Sequence, residues 1–195
     1  LITAVAGRRA PPRAAAGSLL IPMFLQCGKY RLELARPLIM GVLNVTPDSF
    51  SDGGLHADAD AAAAHARRLV DEGADLVDIG GESTRPGAQA VSLDEERRRV
   101  LPGLERLQGL GVPVSVDTRK PELMREAIAT GAAMINDIEA LQAPAALAAA
   151  AASDVAVCLM HMRGTPADMQ RDPNYGDVAA EVAAFLAARG ARSEE

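Results

Sequence analysis

Short apolar runs alternate with amphipathic stretches along most of this chain. From Pro37 onward, Leu38–Leu43, Leu76–Ile79, Val112–Val116, Ala133–Asn136 and Val155–His161 have the length and composition of buried strands. Between them, Asp58–Glu72 reads as a helix with Ala62, Ala66, Leu69 and Val70 on one face. Ser92 with Glu95 forms a capping box that opens a second helix, which Pro102 should kink or interrupt. Pro121 suits the first position of a third helix and Gly131 its stop. The alanine-rich run from Pro144 to Ala152 is a fourth, and Asp177–Arg189 a fifth. Ahead of them all, Met23–Leu25 and Tyr30–Leu34 flank Gly28-Lys29 and predict a hairpin.

Five βα units in succession imply a parallel sheet covered by helices. No reversal of helix faces is evident, so a TIM-type (β/α)8 barrel is favoured over a doubly wound sheet. Eight such units take about 250 residues, so 195 residues accommodate about the first five. The expected organisation is a disordered or leader-like segment over 1–22, a hairpin over 23–36 that plugs the bottom of the barrel, and a partial barrel over 37–195.

Charge narrows the range of partners. The net charge is −6, yet residues 1–36 carry +5, from Arg8, Arg9, Arg13, Lys29, Arg31 and Arg36 against Glu33. The remainder is acidic, which argues against nucleic acid as a partner but not against a phosphorylated small molecule. No apolar stretch reaches the roughly eighteen residues of a spanning helix, so no membrane partner is expected. Cys27 and Cys158 stand far apart and read as small core residues in a reducing cytosol.

Polar groups gather where the strands end. The first strand runs into Asn44-Val45-Thr46-Pro47-Asp48-Ser49-Phe50-Ser51-Asp52-Gly53-Gly54, a mixture no core needs. The second leads to Gly80-Gly81-Glu82-Ser83-Thr84-Arg85-Pro86-Gly87, where glycines allow close backbone approach and Ser83, Thr84 and Arg85 can donate to anionic oxygens. Asp117 ends the third strand, Asn136 the fourth, and Met160-His161 the fifth. A carboxylate and an amide on neighbouring strand ends suit a flat heterocycle with adjacent N–H groups, and Met160 could cover its face. Asp117 could instead cap the helix that starts at Pro121, as could Thr118. Asp78 and Glu82 could be structural partners, and His161 a core residue.

These stretches closely resemble dihydropteroate synthases, from about Pro37 to Val182. The resemblance rests on MGVLNVTPDSFSDGG at 40–54, VDIGGESTRPGA at 77–88, VSVDTRKPE at 114–122, INDI at 135–138 and CLMHMRGTP at 158–166. It implies condensation of 6-hydroxymethyl-7,8-dihydropterin pyrophosphate with p-aminobenzoate in a cytoplasmic enzyme that is a homodimer at full length. It implies that Asn44 helps bind Mg²⁺ and that Asp52 and Arg85 serve the chemistry. Phe50, Ser83, Thr84, Pro86, Asp117, Asn136, Ile138 and Met160 are then the substrate-binding residues. Sulfonamide drugs occupy the p-aminobenzoate pocket in that family. The family's later strands add an Asp before a Gly-Phe-Gly turn, a Lys after a Ser-Arg pair and an Arg-x-His set, none of which occurs here. The 195-residue chain alone is therefore expected to be poorly stable and catalytically silent. A non-catalytic pterin-binding fragment and the pterin-binding module of a methyltetrahydrofolate methyltransferase are the alternative readings.

Overall fold

A computed structural model of the chain describes residues 3–6, 23–46, 54–83, 90–166, 168–171 and 173–193. Two short antiparallel strands, β2 (Phe24–Cys27) and β3 (Tyr30–Glu33), form the expected hairpin. The βα units follow as β4 (Met40–Asn44), α1 (Gly54–Asp71), β5 (Leu76–Gly80), α2 (Leu93–Arg106), β6 (Val114–Asp117), α3 (Pro121–Thr130), β7 (Met134–Asp137), α4 (Pro144–Ala151), β8 (Ala156–Met160) and α5 (Val178–Ser193).

Strands β4 to β8 are parallel, and each pairs with the next in sequence. This unreversed order is that of a barrel wall rather than of a doubly wound sheet, whose order turns back at a switch point. Side chains alternate between the two faces. Leu43, Ile79, Val116, Ile135 and Leu159 are buried in the core shared with the helices. The helices approach closely there: a Cβ on Gly103 of α2 would stand 2.8 Å from Ile79 Cδ1. A side chain at position 103 would therefore require the end of the Ile79 side chain to move.

The opposite, concave face begins in a smaller apolar layer of Leu76, Met134, Ala156 and Cys158, against which the hairpin packs Cys27, Leu25 and Leu32. Gly28 N–H donates to Asp154 O at 3.0 Å and fastens the turn of the hairpin. The hairpin thus lies at the amino ends of the strands. Both cysteines are free thiols in this layer, and burial pushes Cys27 up to about 11 and Cys158 up to about 12. A cavity of about 240 Å³ lies beneath the hairpin, lined by Tyr30, Leu107, Gln108, Val114 and Ala133. It sits at the opposite end of the strands from the polar residues.

Two expectations need correction. Residues 1–22 were expected to lack structure, yet β1 (Thr3–Ala6) pairs antiparallel with β8, Thr3 opposite Met160 and Ala6 opposite Val157. The free edge of β8 offers ladder groups that need partners, and Thr3-Ala4-Val5-Ala6 has no charge or proline to keep it away. Residues 7–22 lie outside the described residues. Pro102 was expected to kink or interrupt α2, and it does not interrupt it: the helix is continuous from Leu93 to Arg106. Burial of Val100, Gly103 and Leu104 offsets the one intrahelical N–H that proline lacks.

Candidate active site at the carboxyl ends of the strands

Strand register alone brings the polar residues together. Asn44 is paired with Gly80, Gly80 with Asp117, Asp117 with Asn136, and Asn136 with Cys158. Register partners in a parallel sheet point to the same side, so these five positions form one row across the concave face. The row one step nearer the hairpin is Val42, Asp78, Ser115, Met134 and Ala156. The polar row therefore rests on a floor that is apolar except at Asp78 and Ser115.

Asp117 is at the centre of the upper row. Its carboxylate accepts no hydrogen bond from a described side chain, and it does not cap α3. The cap position belongs to Lys120, and the nearby Lys120 N–H donates to Thr118 Oγ1 at 3.2 Å. With the capping rival removed, the group is left facing the site. Burial, then the charges of Asp78, Glu96, Asp137 and Glu82, lift its pKa to about 8. A free carboxyl with so costly a charge is ready for a ligand that donates hydrogen bonds to it.

Asn136 stands beside it and donates through Nδ2 to Asp78 Oδ2 at 3.0 Å. Asp78 is 5% exposed, and its pKa is raised by burial against the opposing Ser115 and Asn136 groups. Ile138 follows within two residues and is buried. The turn beyond β7 is built by Asp137, whose carboxylate accepts the N–H groups of Glu139 and Leu141, both at 2.8 Å. That turn holds Ala140 and Leu141 at φ 52°, a left-handed conformation unfavourable for both. Arg189 from α5 donates to the carbonyls of both residues and secures it.

Met160 ends β8 buried, on the same face as Cys158 and hence as the polar row. His161 is half-buried and packs its ring edge-on against Phe185 at 5.0 Å, with Tyr175 at 5.9 Å. It is a packing residue in this arrangement. Asn44 is exposed at the end of β4, and Ser83 is exposed just beyond β5. Phe50, Asp52, Thr84, Arg85 and Pro86 lie outside the described residues.

A charged network that the sequence gives little sign of joins the ends of β5 and β6. Glu82 pairs with Lys120 and with Arg119 at 3.2 Å, and accepts the Val91 N–H at 3.2 Å. Lys120 also pairs with Glu96, which is 1% exposed, and Arg119 reaches Glu139 at 2.9 Å. Burial works against the charge of Glu82, but Lys120, the Val91 N–H and Arg119 outweigh it and hold the pKa below the usual value. Glu82 thereby ties together both ends of the segment from 82 to 91. Spacing could have suggested this network only through Lys120 and Glu82 each lying just beyond a strand end.

Asn44 also bears on metal binding. Its side chain is exposed on the polar row and makes no hydrogen bond with a described residue. One amide oxygen suits a cation that keeps water and phosphate oxygens as its other ligands, which is the habit of Mg²⁺. Among the described residues no group of three His, Cys, Asp or Glu side chains could hold a metal by itself. None of the described helices is long and apolar enough to cross a membrane.

Comparison with known proteins agrees with this geometry. Residues 40–195 match the family model described as pterin binding enzyme. Dihydropteroate synthase of Escherichia coli (strain K12) is 52% identical over 165 residues, which are 84% of this chain and 58% of that protein. The chain therefore spans somewhat over half the length of this curated relative. The Yersinia pestis dihydropteroate synthase, solved in a sulfonamide drug complex, superposes with a TM-score of 0.80 at 50% identity, covering 88% of this chain and 62% of the other. The Burkholderia cenocepacia enzyme, complexed with 7,8-dihydropteroate, gives 0.77 at 49% identity, covering 88% and 58%.

Proposed function

Because this chain belongs to the pterin binding enzyme family, we propose that its polar row holds a dihydropterin for dihydropteroate synthesis. The observation that carries the reading is the register-matched pair of Asp117, whose carboxyl accepts no hydrogen bond from a described side chain, and Asn136, with an oriented amide. Two adjacent groups able to accept from ring N–H donors suit a pterin edge. The relatives bound to a sulfonamide drug and to 7,8-dihydropteroate support the choice of substrates.

The reaction is condensation of 6-hydroxymethyl-7,8-dihydropterin pyrophosphate with p-aminobenzoate. The C–O bond from the exocyclic methylene to pyrophosphate breaks, a C–N bond forms to the arylamine, and that nitrogen then loses one proton. Asp117 and Asn136 bind and orient the pterin, while Ile138 and Met160 exclude water from its faces. Gly80 keeps space beside Asp117. Asn44 would hold Mg²⁺, which offsets charge on the departing pyrophosphate when bound. Ser83, Thr84, Arg85 and Pro86 would contact the pyrophosphate and p-aminobenzoate, Phe50 would wall the aryl pocket, and Asp52 would lend negative charge to the cationic methylene. The complete protein would be a cytoplasmic homodimer.

The test is p-aminobenzoate-dependent formation of 7,8-dihydropteroate by the complete protein, with Asp117→Asn as the comparison. The reading requires product from the unsubstituted protein and at least a tenfold fall in kcat/KM with the variant. Equal kcat/KM for the two would reject it.

A further inference from the structure

The contact between Asn136 and Asp78 crosses an intervening strand. Asn136 is on β7, Asp78 on β5, and β6 runs between them. Two strand spacings amount to roughly 9.6 Å, so both side chains must extend over β6 for Nδ2 and Oδ2 to meet at 3.0 Å. Beneath that bridge the β6 residue paired with Asp78 is Ser115, which is fully buried. A larger side chain there would stand in the way. Small residue, acidic residue and amide are thus arranged as one unit.

The chemistry of the pair determines which way the amide points. A carboxylate oxygen accepts, so the NH2 end of Asn136 faces Asp78; turning the amide over would set two oxygens against each other. One N–H of Asn136 is therefore committed. We infer that Asp78 is a positioning residue for the pterin site: by holding one N–H of Asn136, it sets the rotation of the amide that meets the ligand beside Asp117. The amide oxygen and the remaining N–H are then presented in one orientation rather than two. Asp78 is 5% exposed, so a carboxylate in this floor carries a desolvation cost that an apolar residue would avoid, and Ser115 and Asn136 offset part of it.

This inference rests on the pterin reading, and the experiment separates the two. Binding of 6-hydroxymethyl-7,8-dihydropterin pyrophosphate is measured by calorimetry for the unsubstituted complete protein, Asp78→Ala, Asn136→Ala and the double variant. Exchange protection of the Asn136 side-chain amide is followed by NMR alongside. The expected result is about tenfold weaker binding for Asp78→Ala when Asn136 is present, and less than twofold when it is replaced. Protection of the Asn136 amide should fall in Asp78→Ala. Equal losses in both backgrounds would show that Asp78 acts independently of Asn136 and overturn the inference. If Asp78→Ala does not fold, Asp78→Ser, too short to reach Nδ2, takes its place in the cycle. Absence of binding by the unsubstituted protein overturns the pterin reading and, with it, this role; retained amide protection would then mark the bond as structural.

Discussion

Gly80 and Asp117 are register partners on β5 and β6, and a methyl group on Gly80 would stand 3.2 Å from Asp117 Cβ. The glycine thus clears room for the carboxyl that faces the site. Gly80→Ala should displace Asp117 by a few tenths of an ångström and weaken dihydropterin binding by about fivefold, as overpacking of about 1 kcal/mol would. Calorimetric titration of the variant checks this; unchanged affinity would mean that the row tolerates a side chain at 80.

Lys120 lies between Glu82 and Glu96, both largely withdrawn from water. Lys120→Met should leave buried Glu96 without its cation, and Glu82 with Arg119 alone, at a cost of about 3–5 kcal/mol. Urea unfolding measures the loss. Adding Glu96→Gln to that variant should recover part of it, because the buried charge with no other partner is removed.

Stability should fall with rising pH through the range set by Asp117. Its folded pKa, about 8, is above the ordinary 3.8. The proton is bound more tightly in the folded chain, so the stabilisation is complete below about pH 3.8 and lost as pH rises towards 8. Asp137, lifted to about 6 chiefly by burial, acts in the same direction over the lower part of that range. Glu82, held below its usual value, acts the other way at the acid end. Asp117→Asn should flatten the slope between about pH 6 and 8, as read from urea midpoints at several pH values.

The same carboxyl predicts a proton count. A ligand that donates N–H groups to Asp117 favours its ionised form, so binding at pH 7 should release up to about one proton. Calorimetric enthalpies in buffers of differing ionisation heat would reveal the release. Identical enthalpies in all buffers would mean that Asp117 binds in the form it already holds.

Much of the fold was legible because strands and helices here obey their own periods. Each of the five apolar runs became a strand within two residues of its expected bounds, and Gly131 ended α3 in the left-handed conformation expected of a stop. The row of Asn44, Asp117 and Asn136 was legible too, since Asn44 and Asp117 end β4 and β6 and Asn136 is one residue from the end of β7. What escaped the sequence depends on distance across the sheet. Asp78 looked like a structural partner only, because nothing local reveals that a residue 58 positions later reaches it. Glu82, Lys120 and Glu96 are joined in the same non-local way. Pro102 does not interrupt α2, because burial of one helix face outweighs the local rule. The pairing of β1 depended on a free edge at β8, not on any strong signal in Thr3–Ala6.

The most direct measurement is titration of the complete protein, unsubstituted and as Asp117→Asn, with 6-hydroxymethyl-7,8-dihydropterin pyrophosphate at pH 7. The carboxyl-and-amide site predicts saturable binding that weakens at least tenfold in the variant, as loss of a charge-assisted acceptor does. Saturable binding of equal affinity in both chains would contradict it.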